Sequence, residues 1–268
     1  MAADNKESSF IRQVGVCLSR CRRAFINENG WKLIISVGLI MLLISTVTGE
    51  DLFVTDDATR NGSFALICAC IWTGIFNSIR TVCRERDIIK REHRTGLRMS
   101  SYVAAHMIHE GALSMVEALL AAIIIWLVNN SHFIKKGVIL PPGIELFICF
   151  FLIIFASDIF AMMISSVVTN ENTAMTVMPF ALIVQMIFAG VVFELEGMTE
   201  KISYATISRW GMNGLCAIAD YNRMSYFSYS KDWESTPENV IRIWAVLLGF
   251  VILNGVLSWI ALLWVDRY

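Results

Sequence analysis

Apolar residues in this chain come in long runs separated by short charged segments. There are 17 uncharged residues between Lys32 and Glu50, 19 between Arg60 and Arg80, 22 between Glu171 and Glu194, and 23 between Arg242 and Asp266. Two further stretches each hold a single acid, Glu117 in 111–134 and Asp158 in 146–170. A bilayer core about 30 Å thick takes roughly 20 apolar residues of helix. The pattern therefore predicts six membrane spans, near 32–49, 61–83, 101–129, 145–168, 173–194 and 241–265.

Ahead of the first run the period changes. Phe10, Val14, Cys17, Leu18, Cys21 and Phe25 recur at spacings of three and four, and Arg12, Arg20 and Arg23 are expected on the other side. Residues 1–30 thus predict an amphipathic helix at the membrane surface, followed by a transmembrane domain over 31–268. They contain no unbroken apolar core of the kind a cleaved leader needs.

Composition supports the same class. Apolar residues make up 56% and charged residues 17% of the 268, against roughly 45–50% and about 25% in soluble domains. Mean hydropathy is +0.60. A net charge of −1 offers no basic field to nucleic acid. Lys and Arg gather before the first span and between the second and third, whereas the first loop is acidic and 195–240 carries six acids and four bases. Positive charge marks the cytosolic side, so six spans with cytosolic termini satisfy the distribution. Cys216 is the one cysteine in a long external loop, which leaves no basis for an intramolecular disulfide framework.

The chemistry of a self-sufficient enzyme is missing. The sequence has no Gly-Lys dipeptide and hence no phosphate-binding P-loop, and no G-x-G-x-x-G, C-x-x-C or G-x-S-x-G. His109-Glu110 is followed by Gly-Ala-Leu, so the zinc-protease spacing fails. No catalytic or metal-ligating constellation is predicted. Any work done must draw on a partner or an ion gradient.

The segment Arg84-Glu85-Arg86-Asp87-Ile88-Ile89-Lys90-Arg91-Glu92-His93-Arg94-Thr95-Gly96, with Tyr102 following, is dense in alternating charge. The positive-inside rule accounts for its arginines but not for the interleaved acids. E-R-x-x-x-x-R-E-x-x-x-G between two spans resembles the coupling-helix region of G-subfamily ABC exporters. Met178-Pro179 in the fifth span, Phe188-Ala189-Gly190 and Ile207-Ser208-Arg209-Trp210-Gly211-Met212 are similar to that family's later motifs. The resemblance covers almost the whole chain; Leu97 departs from it, where many members carry an aromatic.

The resemblance implies an all-α fold of six spans behind an amphipathic connecting helix, with a coupling helix at about 84–99. Re-entrant helices are implied in the external loop at about 195–240, an aromatic segment that includes Trp210, Tyr221, Tyr226, Phe227, Tyr229 and Trp233. It implies a permease paired with a second copy of itself or a similar permease, seated on a separate ABC ATP-binding subunit that holds ATP and Mg, with no cofactor on this chain. Arg84, Glu85, Arg86, Lys90, Arg91, Glu92 and Gly96 would couple to the ATPase. Gln185, Phe188 and Phe193 would line the path or its gate, and Asn254 is a further deep polar residue. Glu117 and Asp158, placed near the bilayer midplane by counting along their spans, admit two readings: a polar cavity on the path, or hydrogen bonding between helices. A proton-coupled secondary transporter using these two acids, and a membrane anchor recruiting a partner through 84–98, are the alternatives.

Overall fold

The computed structural model describes residues 9–129, 134, 136–193, 195–224 and 229–264. Tyr226, Phe227, the first eight residues, and Glu194 and Val265 at the ends of the predicted fifth and sixth spans lie outside that set. The described residues form twelve α-helices. In order they are α1 (Phe10–Asn27), α2 (Trp31–Thr48), α3 (Asp56–Ser78), α4 (Thr81–Arg84), α5 (Arg86–Arg94) and α6 (Met99–Val128). There follow α7 (Pro142–Val167), α8 (Glu171–Ile187), α9 (Met198–Ser203), α10 (Ile207–Ile218), α11 (Tyr221–Met224) and α12 (Pro237–Leu263).

Local chemistry explains where the helices start and stop. Asp56 and Asp57 occupy the first turn of α3, where the helix dipole favours negative charge. Asn170 caps α8 by accepting from the Thr173 amide at 2.8 Å. Thr236 accepts from Asn239, and Pro237 opens α12 at a position that has no amide to lose. Gly96 ends α5 at φ +105, a conformation that side chains resist.

Five helical stretches are long and apolar enough to cross a membrane: Trp31–Thr48, Asp56–Arg84, Met99–Val128, Pro142–Val167 and Pro237–Leu263. Among the described residues of the predicted fifth span, 173–194, the helix runs only through Ile187, and α8 has 17 residues, about 25 Å at 1.5 Å each. Gly190 takes φ +77 just beyond it, which turns the chain out of the helix.

The core is built on α7, which packs against α3, α6, α10 and α12. At Gly74 a Cβ would lie 2.5 Å from the Ile154 carbonyl, so α3 and α7 touch backbone to backbone. The short α10 is driven into the same core: a Cβ at Gly214 would meet Cys149 Sγ at 2.9 Å. Its aromatic surroundings are internally bonded. Trp233 Nε1 donates to Asn213 at 3.0 Å and Trp210 Nε1 to the Tyr204 carbonyl at 2.8 Å. All seven cysteines are free.

Candidate functional site

The charged segment between the second and third long helices folds as α4 and α5, and α1 lies against it and against α6. Arg20 is the hinge of this junction. Its guanidinium donates to both Glu92 oxygens at 2.8 Å and to Glu85 Oε2 at 3.2 Å. The Tyr102 hydroxyl also donates to Glu85 Oε2, at 3.1 Å, and Arg20 stands over the Tyr102 ring at 5.7 Å. The expectation that Arg20 points away from the apolar side is thus corrected. It lies beside Cys17 and Cys21 on the packed side, because two acids one α5 face apart need a cation. Gln13 adds a second tie, donating to the Gly96 carbonyl at 3.1 Å and accepting from the Arg98 amide at 3.0 Å. Glu28, in turn, pairs with Arg84, whose guanidinium holds the carboxyl below its usual range. Burial pushes the Cys21 thiol up to about 12.

Arg86 turns the other way. It is buried and donates to the Val168 carbonyl at 2.8 Å and the Ser166 carbonyl at 3.4 Å, at the free C-terminal end of α7. Ser165 Oγ accepts from the Val82 and Cys83 amides, each at 3.1 Å. The α4–α5 elbow is therefore fastened to α7 as well as to α1. Of the seven residues predicted to couple, Arg84, Glu85, Arg86 and Glu92 have partners within the chain, Gly96 supplies the turn, and Lys90 is half-buried. Arg91 is exposed, on a face shared with Asp87 and Ile88. Gln13, Arg20, Glu28 and Ser165 were not legible as site residues. The one sequence signal was the acid pair Glu85 and Glu92, seven apart, which asks for a cation from elsewhere.

The deep polar residues form two separate groups. Glu117 is fully buried and accepts from Asn77 Nδ2 at 3.0 and 3.1 Å. Asp158, also fully buried, accepts from Ser114 Oγ at 2.5 Å and Ser78 Oγ at 3.2 Å. Asn77 and Ser78 are the last two residues of α3. These bonds tie Glu117 of α6 and Asp158 of α7 to the same stretch of α3, and Ser114 joins α6 to α7 as well.

Gln185 belongs to the opposite end. It is 6% exposed, and its Oε1 accepts from the Ser208 amide at 3.1 Å, capping the N-terminus of α10. Phe188 caps α8 and Phe193 is 54% exposed. Asn254 is buried in α12 and donates to the Phe250 carbonyl of its own helix at 2.9 Å. Among the described residues no hydrogen bond links these groups: Glu117 and Asp158 bond to Asn77, Ser78 and Ser114, and Gln185 to the head of α10.

Long apolar helices around a buried polar cluster, with an ion-paired helical elbow at one end, define an integral membrane protein of the permease class. The chain belongs to the ABC-2 type transporter family, which it matches over residues 12–219. It is the permease component of an ABC transporter. It is 24% identical over 229 residues to an ABC transporter ATP-binding/permease protein of Mycobacterium tuberculosis (strain ATCC 25618 / H37Rv). That match covers 81% of this chain and 26% of the relative, so the chain spans about a quarter of the relative's length.

Proposed function

We propose that this chain is the membrane subunit of an ATP-driven exporter that forms its substrate path as a dimer, with a second copy or a similar permease. ATP and Mg belong to an ABC ATP-binding partner subunit in this reading; the 268 residues carry no ATPase motif, and the mycobacterial relative is an ATP-binding/permease protein. The observation that carries this reading is the way α5 is held. Arg20 bridges it to α1 and Arg86 fastens it to α7, leaving Asp87, Ile88 and Arg91 free to meet a partner. A force on that face has a bonded route into two further helices. The positive-inside rule supports a cytosolic side for this face and for both termini, and a bacterial cytoplasmic membrane is the setting we propose.

α8 completes the set as a sixth span, since 17 residues meets the lower bound for crossing. Its Phe180, Ile183 and Val184 are exposed at 66%, 51% and 47%. They face the second permease copy along the path, or lipid. Gln185, Phe188 and Phe193 mark the far end of that path, where a gate belongs.

The test is a pull-down from native membranes with a tag on this chain, beside an Asp87→Lys/Arg91→Glu variant. An ATP-binding protein should co-purify and be lost in the variant. Intact tagged protein without any ATPase would instead favour gradient-driven transport, with Glu117 and Asp158 as the residues to test.

A further inference from the structure

A cavity of about 440 Å³ lies where the start of α2, the end of α3 and the first half of α6 meet α1 and α5. This is within the roughly 300–1,000 Å³ of small-ligand sites. Lys32, second residue of α2, and Arg80, just past the end of α3, line its rim. α2 enters and α3 leaves at this end, so the two cations stand where two spans meet water. Both are exposed; Lys32 forms no ion pair among the described residues, and Arg80 acts on the Glu28 carboxylate only as a more distant charge behind Arg84. The other rim charges are matched, Arg84 by Glu28 and Glu85 by Arg20.

Below the rim the walls are apolar, from Phe25, Leu33 and Phe76. The floor is polar. Glu110 is 4% exposed; the one hydrogen-bond partner of its side chain among the described residues is His109 Nδ1 at 3.4 Å, and Glu117 and Asp158 are near enough to feel its charge. Trp31, beside Lys32, is 52% exposed, as an interfacial aromatic would be.

The geometry points to a site for the headgroup of a membrane phospholipid, its phosphate on Lys32 and Arg80 and its hydrogen-bond donors on Glu110. Basic pockets between spans at the cytoplasmic side suit lipid phosphates. The acid at the floor adds selectivity: glycerol hydroxyls or an ethanolamine ammonium can donate to it, and choline cannot. This holds whatever drives transport, and its test needs no ATPase.

The experiment is native mass spectrometry of the purified full chain with phosphatidylglycerol, phosphatidylethanolamine or phosphatidylcholine of identical acyl chains, and separately with sn-glycerol 3-phosphate. The first two lipids should be retained well above phosphatidylcholine. A Lys32→Gln/Arg80→Gln variant should bind about thirtyfold more weakly, and Lys32→Gln alone about fivefold, from the attraction typical of one cation near a lipid surface. Arg12→Gln/Arg22→Gln, on exposed α1 positions away from the cavity, should change nothing. Glu110→Met should abolish the preference over phosphatidylcholine while keeping the phosphate contact. Unchanged retention in a folded Lys32 variant, or equal retention of phosphatidylcholine by the unmodified chain, overturns the site. Tight binding of glycerol phosphate with no lipid preference overturns the lipid as its source.

Discussion

Arg20 of α1 holds Glu92 of α5 through two hydrogen bonds of 2.8 Å, across 72 residues of sequence. The pair is about one-third exposed, so it escapes the full screening that makes surface pairs worth little. Hydrogen bonds to charged groups contribute about 1.5–3 kcal/mol, less where water reaches them. Arg20→Ala should therefore loosen α1 from α5 by about 1–2 kcal/mol. Cys17 and Cys21 report the loosening, being 3% and 8% exposed under that contact. Maleimide labelling of these thiols should rise about tenfold in the variant, and an unchanged rate would remove Arg20 as the clasp.

Gly74→Ala should destabilise the bundle by about 1–3 kcal/mol, the range for overpacking. The new Cβ would meet the Ile154 carbonyl at 2.5 Å, a backbone atom that cannot step aside. Gly15→Ala, where nothing lies within 4 Å, should instead support α1 by up to about 1 kcal/mol. Thermal unfolding in detergent, followed by circular dichroism, separates the two outcomes.

Ser114→Ala removes the 2.5 Å donor to Asp158 but leaves Ser78 in place. Side-chain bonds between membrane helices average about 0.6 kcal/mol, so the loss should be small. Ser78→Ala/Ser114→Ala leaves a buried acid without either donor and should cost more than the two single changes together. A double-mutant cycle on unfolding measures the excess. Strict additivity would mean that water, and not these hydroxyls, solvates Asp158.

The Glu28–Arg84 pair sets a pH dependence. The Glu28 carboxyl is held below its usual range by the Arg84 guanidinium. A depressed acid stabilises above its unfolded value and loses that stabilisation as pH falls through its folded value. Both partners are about half-exposed, so the effect is below about 1 kcal/mol and weakens with salt. The distance between spin labels on the end of α1 and on α4 should widen as pH drops below the ordinary carboxylate range. Glu28→Gln should show no such step.

Much of the architecture was legible in the chain. Uncharged runs such as 243–263 and 61–79 are helical because a bilayer leaves backbone groups no other partner. The charged elbow was visible for the same reason in reverse, since seven bases and several acids between 80 and 98 cannot enter lipid. Span ends were less legible. α8 stops at Ile187 although apolar residues continue to Phe193, because the turn at Gly190 is a backbone event that hydropathy does not register.

Site residues divide along the same line. Sequence alone determined which groups are costly in lipid, among them Glu85, Glu92, Glu117, Asp158 and Gln185. Tertiary structure decided which partner each received: Arg20 for the first two, Asn77 for Glu117, two serines for Asp158, and the head of α10 for Gln185. Those pairings join helices far apart in the chain, and they depend on how far each helix slides along its neighbour. The register of α6 against α3 is what brings Glu117 level with Asn77. Burial energy is nearly indifferent to such a slide along a uniformly apolar surface, so periodicity holds no record of it. Close contacts such as Gly74 on Ile154, and hydrogen bonds with a direction, fix the register.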